Sequence, residues 1–290
     1  MKISSGGLVG VLVSLAFLHA STPQAQAAER CRFSVSTLQF VGTATEQAQC
    51  LLRNVAPFGQ VGSQMAELPP ALGDLVGKDT IVDKTALRRF LRAHAIDEAQ
   101  IGGSLDEPLS RANNGSASAP RASYFVIHDT STPNLLNDPF PSNINTPEWP
   151  FNNFAKYGQV AHVFVNRVGA STTKVPFGTP FRATKFETRE LGIKGKGLFL
   201  HVELIQPRRR HPNGGSKNDA LAPDPGFTEA QLDRLALLYI AASTRAGHWL
   251  VPAYHAVLDT GLSDGHDDPQ AFNLTLWAAR LKLLLDSMAS

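Results

Sequence analysis

The apolar run Tyr124-Phe125-Val126-Ile127 stops abruptly at His128-Asp129-Thr130-Ser131. Such a run loses free energy in water, so it reads as a buried strand, and the polar residues after it stand where the strand leaves the core. An imidazole and a carboxylate at a strand exit serve one of two ends: solubility, or delivery of a metal ligand into a pocket. The rest of the chain bears on that choice.

The same alternation of apolar runs and long polar connections continues downstream. "QVAHVFVNRVG" (159–169) is β-rich and ends at a glycine turn, and "GLFLHVELIQP" (197–207) is another strand. Thr228 and Gln231 form a capping box, Phe227 and Leu232 suit a hydrophobic staple, and Gly247 ends the helix so begun. "WLVPAYHAVLD" (249–259) is a short buried segment, and an amphipathic helix over 268–286 closes the chain. Strands, loops and helices in this order predict an α/β domain with a central mixed β-sheet flanked by helices. Segments 132–158 and 208–226 read as long loops, which often carry function.

Upstream, residues 28–110 read as a mostly helical extension. Thr43 and Glu46 stand at capping-box spacing, and Leu87, Phe90, Leu91 and His94 share one helical face. The small, polar stretch 111–121, "RANNGSASAPR", reads as a linker to a domain spanning 122–290. Residues 1–27 carry Lys2, an apolar core and the small-x-small site "AQA", the pattern of a cleaved export signal; a retained anchor is the alternative, although the run is short for a membrane span. Export implies an oxidising compartment, where Cys31 and Cys50, the two cysteines, are expected to pair. The protein is then periplasmic or secreted, with no stable membrane insertion after signal cleavage. With 27 basic against 25 acidic residues, the charge balance argues against nucleic acid as a partner.

The chemistry concentrates in histidines. His128 ends one buried strand and His255 ends the apolar "LVPAYH"; "SDGHDDP" follows, with His266 among three carboxylates. Two imidazoles and one carboxylate make a catalytic zinc site that keeps a fourth position open. Taken singly, a histidine at a strand end is commonly structural, and "SDGHDDP" reads as a solvated turn.

In order, these motifs resemble the zinc-dependent N-acetylmuramoyl-L-alanine amidases, a family that includes peptidoglycan recognition proteins. The resemblance covers about 122–286: "VIHDT" with His128, "VAHVFVNRVG" with His162, "LHVEL" with Glu203, "FTEAQ" before the last motif, then His255 and "HDDP" with Asp268. It implies that His128, His255 and Asp268 bind Zn2+ and that Glu203 activates water. It also implies that His266, where many members have lysine, holds the oxyanion. His162 is expected to bind substrate in the pocket or to orient the groups around the metal, and His201, on the same strand face as Glu203, either lines the cleft against substrate or is a partly buried, hydrogen-bonded histidine. The interval from His255 to Asp268 is longer than the family's, so Asp264, Asp267 and His266 stay open as the third ligand. Ala161 stands where some members place a catalytic tyrosine.

The implied reaction is hydrolysis of the amide between N-acetylmuramic acid and L-alanine, in peptidoglycan or muropeptides. The two long loops are candidates for the groove, with Trp149, Phe151 and Phe154 against sugars and Arg208, Arg209 and Arg210 against peptide carboxylates; ordinary loop anchoring by the aromatics and solvation of the arginines is the alternative, and the one favoured. Two alternatives belong to other classes: a peptidoglycan-binding module without activity, and an unrelated secreted zinc peptidase. The lack of His-Glu-x-x-His argues against the second.

Overall fold

The computed structural model describes Met1 and residues 29–136, 139–210, 221–223 and 226–289. The expected export signal, apart from Met1, and most of the loop 208–226 lie outside the described residues. No described helix is long and apolar enough to cross a membrane.

The N-terminal segment starts with a two-residue hairpin, β1 (Phe33–Ser34) against β2 (Gln39–Phe40). Helix α1 (Ala44–Leu51) follows, opened by the Thr43–Glu46 capping box. A second hairpin pairs β3 (Val55–Ala56) with β4 (Gln60–Val61). A single turn, α2 (Pro70–Gly73), and the longer α3 (Lys84–Ala93) complete the segment. Leu87 and Leu91 bury one face of α3, whereas His94 is its exposed C-cap and stacks on Phe90. The segment is thus less helical than its sequence suggests, because its strands are too short to show a period. Cys31 and Cys50 are bonded, with Cα atoms 6.0 Å apart, and tie β1 to the end of α1.

The stretch expected as a linker is folded down onto the protein. Arg111 and Arg121 form an antiparallel bridge, Ala112 N–H donates to Pro120 O, and Ala112 and Ala119 are buried. Asn113 and Asn114, within the turn α4 (Ala112–Gly115), take left-handed φ values of 50° and 55°, a conformation asparagine tolerates. A single hydrophobic core runs from Cys31 to Met288 across this point. Tyr124, the first residue of the central strand, shows the join: its hydroxyl donates to Gln47 Oε1 and accepts from Phe40 N–H.

The central sheet has five strands: β5 (Tyr124–Asp129), β6 (Val163–Val165), β7 (Ser171–Thr173), β8 (Phe199–Leu204) and β9 (Val251–Tyr254), in the order β7-β6-β8-β5-β9. β6, β8, β5 and β9 run parallel, and only β7 is antiparallel to its neighbour. Every residue of β5 is buried, as an apolar strand in the middle of a parallel array should be. Helix α5 (Glu229–Ala246) carries the Thr228–Gln231 box and ends at Gly247, φ 81°. The single turn α6 (His255–Leu258) follows β9 directly. Helix α7 (Leu274–Ala289) starts six residues later than the amphipathic pattern predicts, with Asn273 Oδ1 accepting from Leu276 N–H; residues 268–270 are instead drawn into the site.

Candidate metal centre

Register decides what meets at the carboxyl ends of the strands. His128 on β5 pairs with Glu203 on β8, and Ile127 pairs with Tyr254, the last residue of β9. His255 therefore emerges beside His128. Ligand sites in parallel sheets form at this end, where loops diverge and leave a crevice.

The Nδ1 atoms of His128 and His255 are 2.8 Å apart. Asp268 completes the group: its carboxylate is 3.1 Å from His255 Nδ1 and 3.7 Å from His128 Nδ1. Tetrahedral ligands on bonds of 2.0–2.1 Å stand about 3.3 Å from one another, and these three separations bracket that value. All three residues are buried, and together they could hold a metal ion. Of the other candidates, Asp264 is exposed and faces Arg189, and Asp267 accepts from Arg208 and Gln270. Asp268 alone is turned inward, and the Asp129 N–H holds its Oδ2 at 3.1 Å.

Partners on the far side of each ring set the tautomers. His255 Nε2 lies 3.2 Å from the Asp259 carboxylate, an ion-pair contact rather than an aligned hydrogen bond. A carboxylate accepts only, so the hydrogen belongs on that nitrogen. His201 Nε2 lies 3.2 Å from Glu187 in the same way, which leaves His201 Nδ1 to accept from His128 Nε2–H at 3.0 Å. Both Nδ1 lone pairs are then aimed at one point. Two lone pairs at this distance repel unless a proton or a metal cation lies between them.

The charges agree with this arrangement. Burial, then the neighbouring His255, keeps His128 neutral, well below the usual histidine range. Burial opposes charge on His255 as well, but Asp268 and Asp259 outweigh it and carry that imidazole up to about 10. Asp268, despite its burial, is held well below the carboxylate range by His255. Burial and the Asp268 charge push Glu203 well above its ordinary value.

A cleft of about 1160 Å³ opens over the group, lined by Glu203, His255 and His266 among others. The Glu203 side chain is 12% exposed, with Oε1 3.9 Å from His128 Nδ1. His266 is 53% exposed at the rim; it stacks on His255, with Nδ1 3.4 Å from Asp268. Phe151, Lys156 and Tyr157, from the long loop 132–158, also face the cleft.

Three expectations need correction. His162 and His201 do not line the cleft; both are fully buried, with His162 Nδ1 accepting the His201 backbone N–H and His201 backing His128. They lie deeper than Glu203 on the same face of the sheet, behind the ring of His128 rather than at the open ends of the strands. Arg208 is not a surface anion contact but is buried against Asp129 at 2.7 Å. Trp149 is buried with Ile144 and Ile205 and anchors its loop.

Two residues went unnoticed in the sequence. Asp259 stands four residues after His255, the spacing that places side chains on one helical face, and also accepts from Phe186 N–H. Glu187 closes a capping box with Thr184, a pattern visible as Thr-x-x-Glu, before meeting His201.

Comparison of the chain with protein-family models, with curated proteins and with solved structures finds no match.

Proposed function

We propose that the chain is an exported zinc-dependent N-acetylmuramoyl-L-alanine amidase, acting on peptidoglycan or its soluble fragments. The observation that carries this reading is the convergence of His128 Nδ1, His255 Nδ1 and Asp268 beneath an open cleft, with the Glu203 carboxylate beside them. Two neutral nitrogens and one carboxylate oxygen suit zinc and leave a coordination position free. The motif order along β5, β8 and β9 supports the amidase assignment over other zinc hydrolases.

His128, His255 and Asp268 would hold the zinc ion, which would supply Lewis acidity toward the scissile carbonyl and lower the pKa of water. Glu203 takes a proton from the attacking water at its carboxylate oxygen and passes it to the departing amine. His266, on the cleft rim, donates a hydrogen bond to the developing oxyanion. Asp259, and His201 backed by Glu187, keep the two ligand rings in the tautomer that turns Nδ1 inward. A substrate outside the cytoplasmic membrane agrees with the signal-like residues 1–27.

The test is digestion of purified peptidoglycan by the zinc-loaded protein, with products identified by mass. Stem peptides bearing a free N-terminal alanine are expected. Glu203→Gln should keep the metal and lose turnover by at least about a hundredfold. Binding without release would indicate a recognition module, and cleavage between stem-peptide residues would indicate a peptidase; either result ends the amidase reading.

A further inference from the structure

The N-terminal segment contributes to the cleft. Phe58, at the tip of the β3–β4 hairpin, lines it together with Phe151, Tyr157 and Phe164 from the sheet domain. The residue is 45% exposed, on the side that faces the cleft.

The backbone at the tip is unusual. Phe58 has φ 67° and ψ 18°, the left-handed region, where a bulky aromatic is an outlier that persists only if its surroundings impose it. Gly59 follows at φ 68°, and a Cβ there would lie 2.4 Å from Asp267 Cβ and 2.6 Å from Asp267 Cα. The tip is therefore pressed against the residue that precedes Asp268. Its base is equally fixed: Leu52 and Val55 are buried, Gly62 N–H donates to Asn54 O, and the Cys31–Cys50 bond holds α1 just upstream. A rigid hairpin thus carries a half-exposed aromatic ring to the rim of the metal cleft.

We propose that Phe58 is a specificity-determining residue, a platform on which the apolar face of the substrate's sugar ring stacks, so that the N-terminal segment is part of the active-site cleft. The identity of the sugar rests on the amidase reading above. A flat, half-exposed aromatic ring beside a polar centre recognises a ligand that has both a C–H face and polar edges.

The experiment compares two substrates: an N-acetylmuramoyl peptide, and the same lactyl peptide lacking the sugar. Phe58→Ala is expected to raise KM for the sugar-bearing substrate roughly tenfold, with kcat within about twofold and the sugar-free substrate unaffected. Metal content and melting temperature should match wild type. Phe58→Trp should keep KM near wild type, and its fluorescence should change on titration with the sugar-bearing substrate in the Glu203→Gln background. If wild type cleaves both substrates and Phe58→Ala leaves KM unchanged, the hairpin's role is overturned and the amidase reading stands. If zinc-loaded wild type neither binds nor cleaves the sugar-bearing substrate, the amidase reading falls and the sugar platform with it.

Discussion

His128 and His255 are 127 positions apart in the chain, yet their Nδ1 atoms face each other at 2.8 Å inside the protein. In the metal-free protein the Asp268 and Asp259 carboxylates keep His255 protonated up to about 10, so a proton occupies the gap. A metal ion must displace it. Metal binding near pH 7 is therefore expected to release about one proton, and affinity should rise about tenfold per pH unit between roughly 6 and 9. Calorimetry in buffers of different ionisation enthalpy measures the proton count; a count of zero would mean that the two rings do not share one ion.

Occupancy should also appear as stability. Zinc at a hundred times its dissociation constant is expected to add about 2.7 kcal/mol, and a chelator should remove it. His128→Ala should abolish this dependence. A melting temperature indifferent to zinc and chelator would contradict the site.

His162 provides a pH effect outside the group of three residues that could hold a metal ion. Burial, reinforced by His201, lowers its pKa well below the usual value, so it stays neutral in the fold but takes a proton when unfolded below about 6.5. Its contribution is therefore intact above that pH and lost as pH falls, at about 1.4 kcal/mol per unit. His162→Gln should flatten the decline in stability between pH 6 and 5 by roughly that slope, measured by urea unfolding in the presence of chelator. An unchanged slope would mean that the imidazole is already protonated in the native state.

The three residues that could hold a metal ion are partly legible in the sequence: His128 and His255 each end an apolar run, whereas Asp268 is one of several candidates in an acidic cluster and only the fold singles it out. The supporting shell is not. A histidine buried beneath a cleft has the same local signature as one that lines it, so nothing in the sequence separates His201, which sits behind His128, from Glu203 two residues on. Arg208, in a basic run inside a loop, carries no sign of the buried carboxylate it meets. The β3–β4 hairpin has strands of two residues each, below the length at which alternation can be read, so the approach of Phe58 to the cleft is visible only in three dimensions.

Glu187 reaches the centre through His201 and His128. Its Oε2 accepts from Ala183 N–H, Thr184 N–H and the Thr184 hydroxyl, and meets His201 Nε2 at 3.2 Å. Glu187→Gln retains the shape but removes the charge, and the terminal amide can offer a donor where His201 requires an acceptor. Metal affinity should fall about 10- to 100-fold, the usual cost of losing an outer partner of a ligand histidine. Competition with a chromogenic chelator would measure it; affinity equal to wild type would reduce Glu187 to a helix cap.

Arg208 and Asp129 form the other buried support, and here removing one partner and removing both should differ. Arg208 donates to both Asp129 oxygens, at 2.9 and 2.7 Å, while Asp129 also accepts from Gln270 N–H and Ser131 N–H. The Asp129 backbone N–H in turn holds the Asp268 carboxylate at 3.1 Å. Arg208→Met leaves a buried carboxylate without its cation and is expected to cost about 3–5 kcal/mol. Adding Asp129→Asn removes the stranded charge and keeps an oxygen for one of the two backbone donors, which reach different oxygens of Asp129, so the double variant should recover part of that loss. Denaturant midpoints of the two single variants and the double variant form the cycle. If the double variant were no more stable than Arg208→Met, the buried charge would not be the source of the loss, and the packing of the arginine stem would account for it instead.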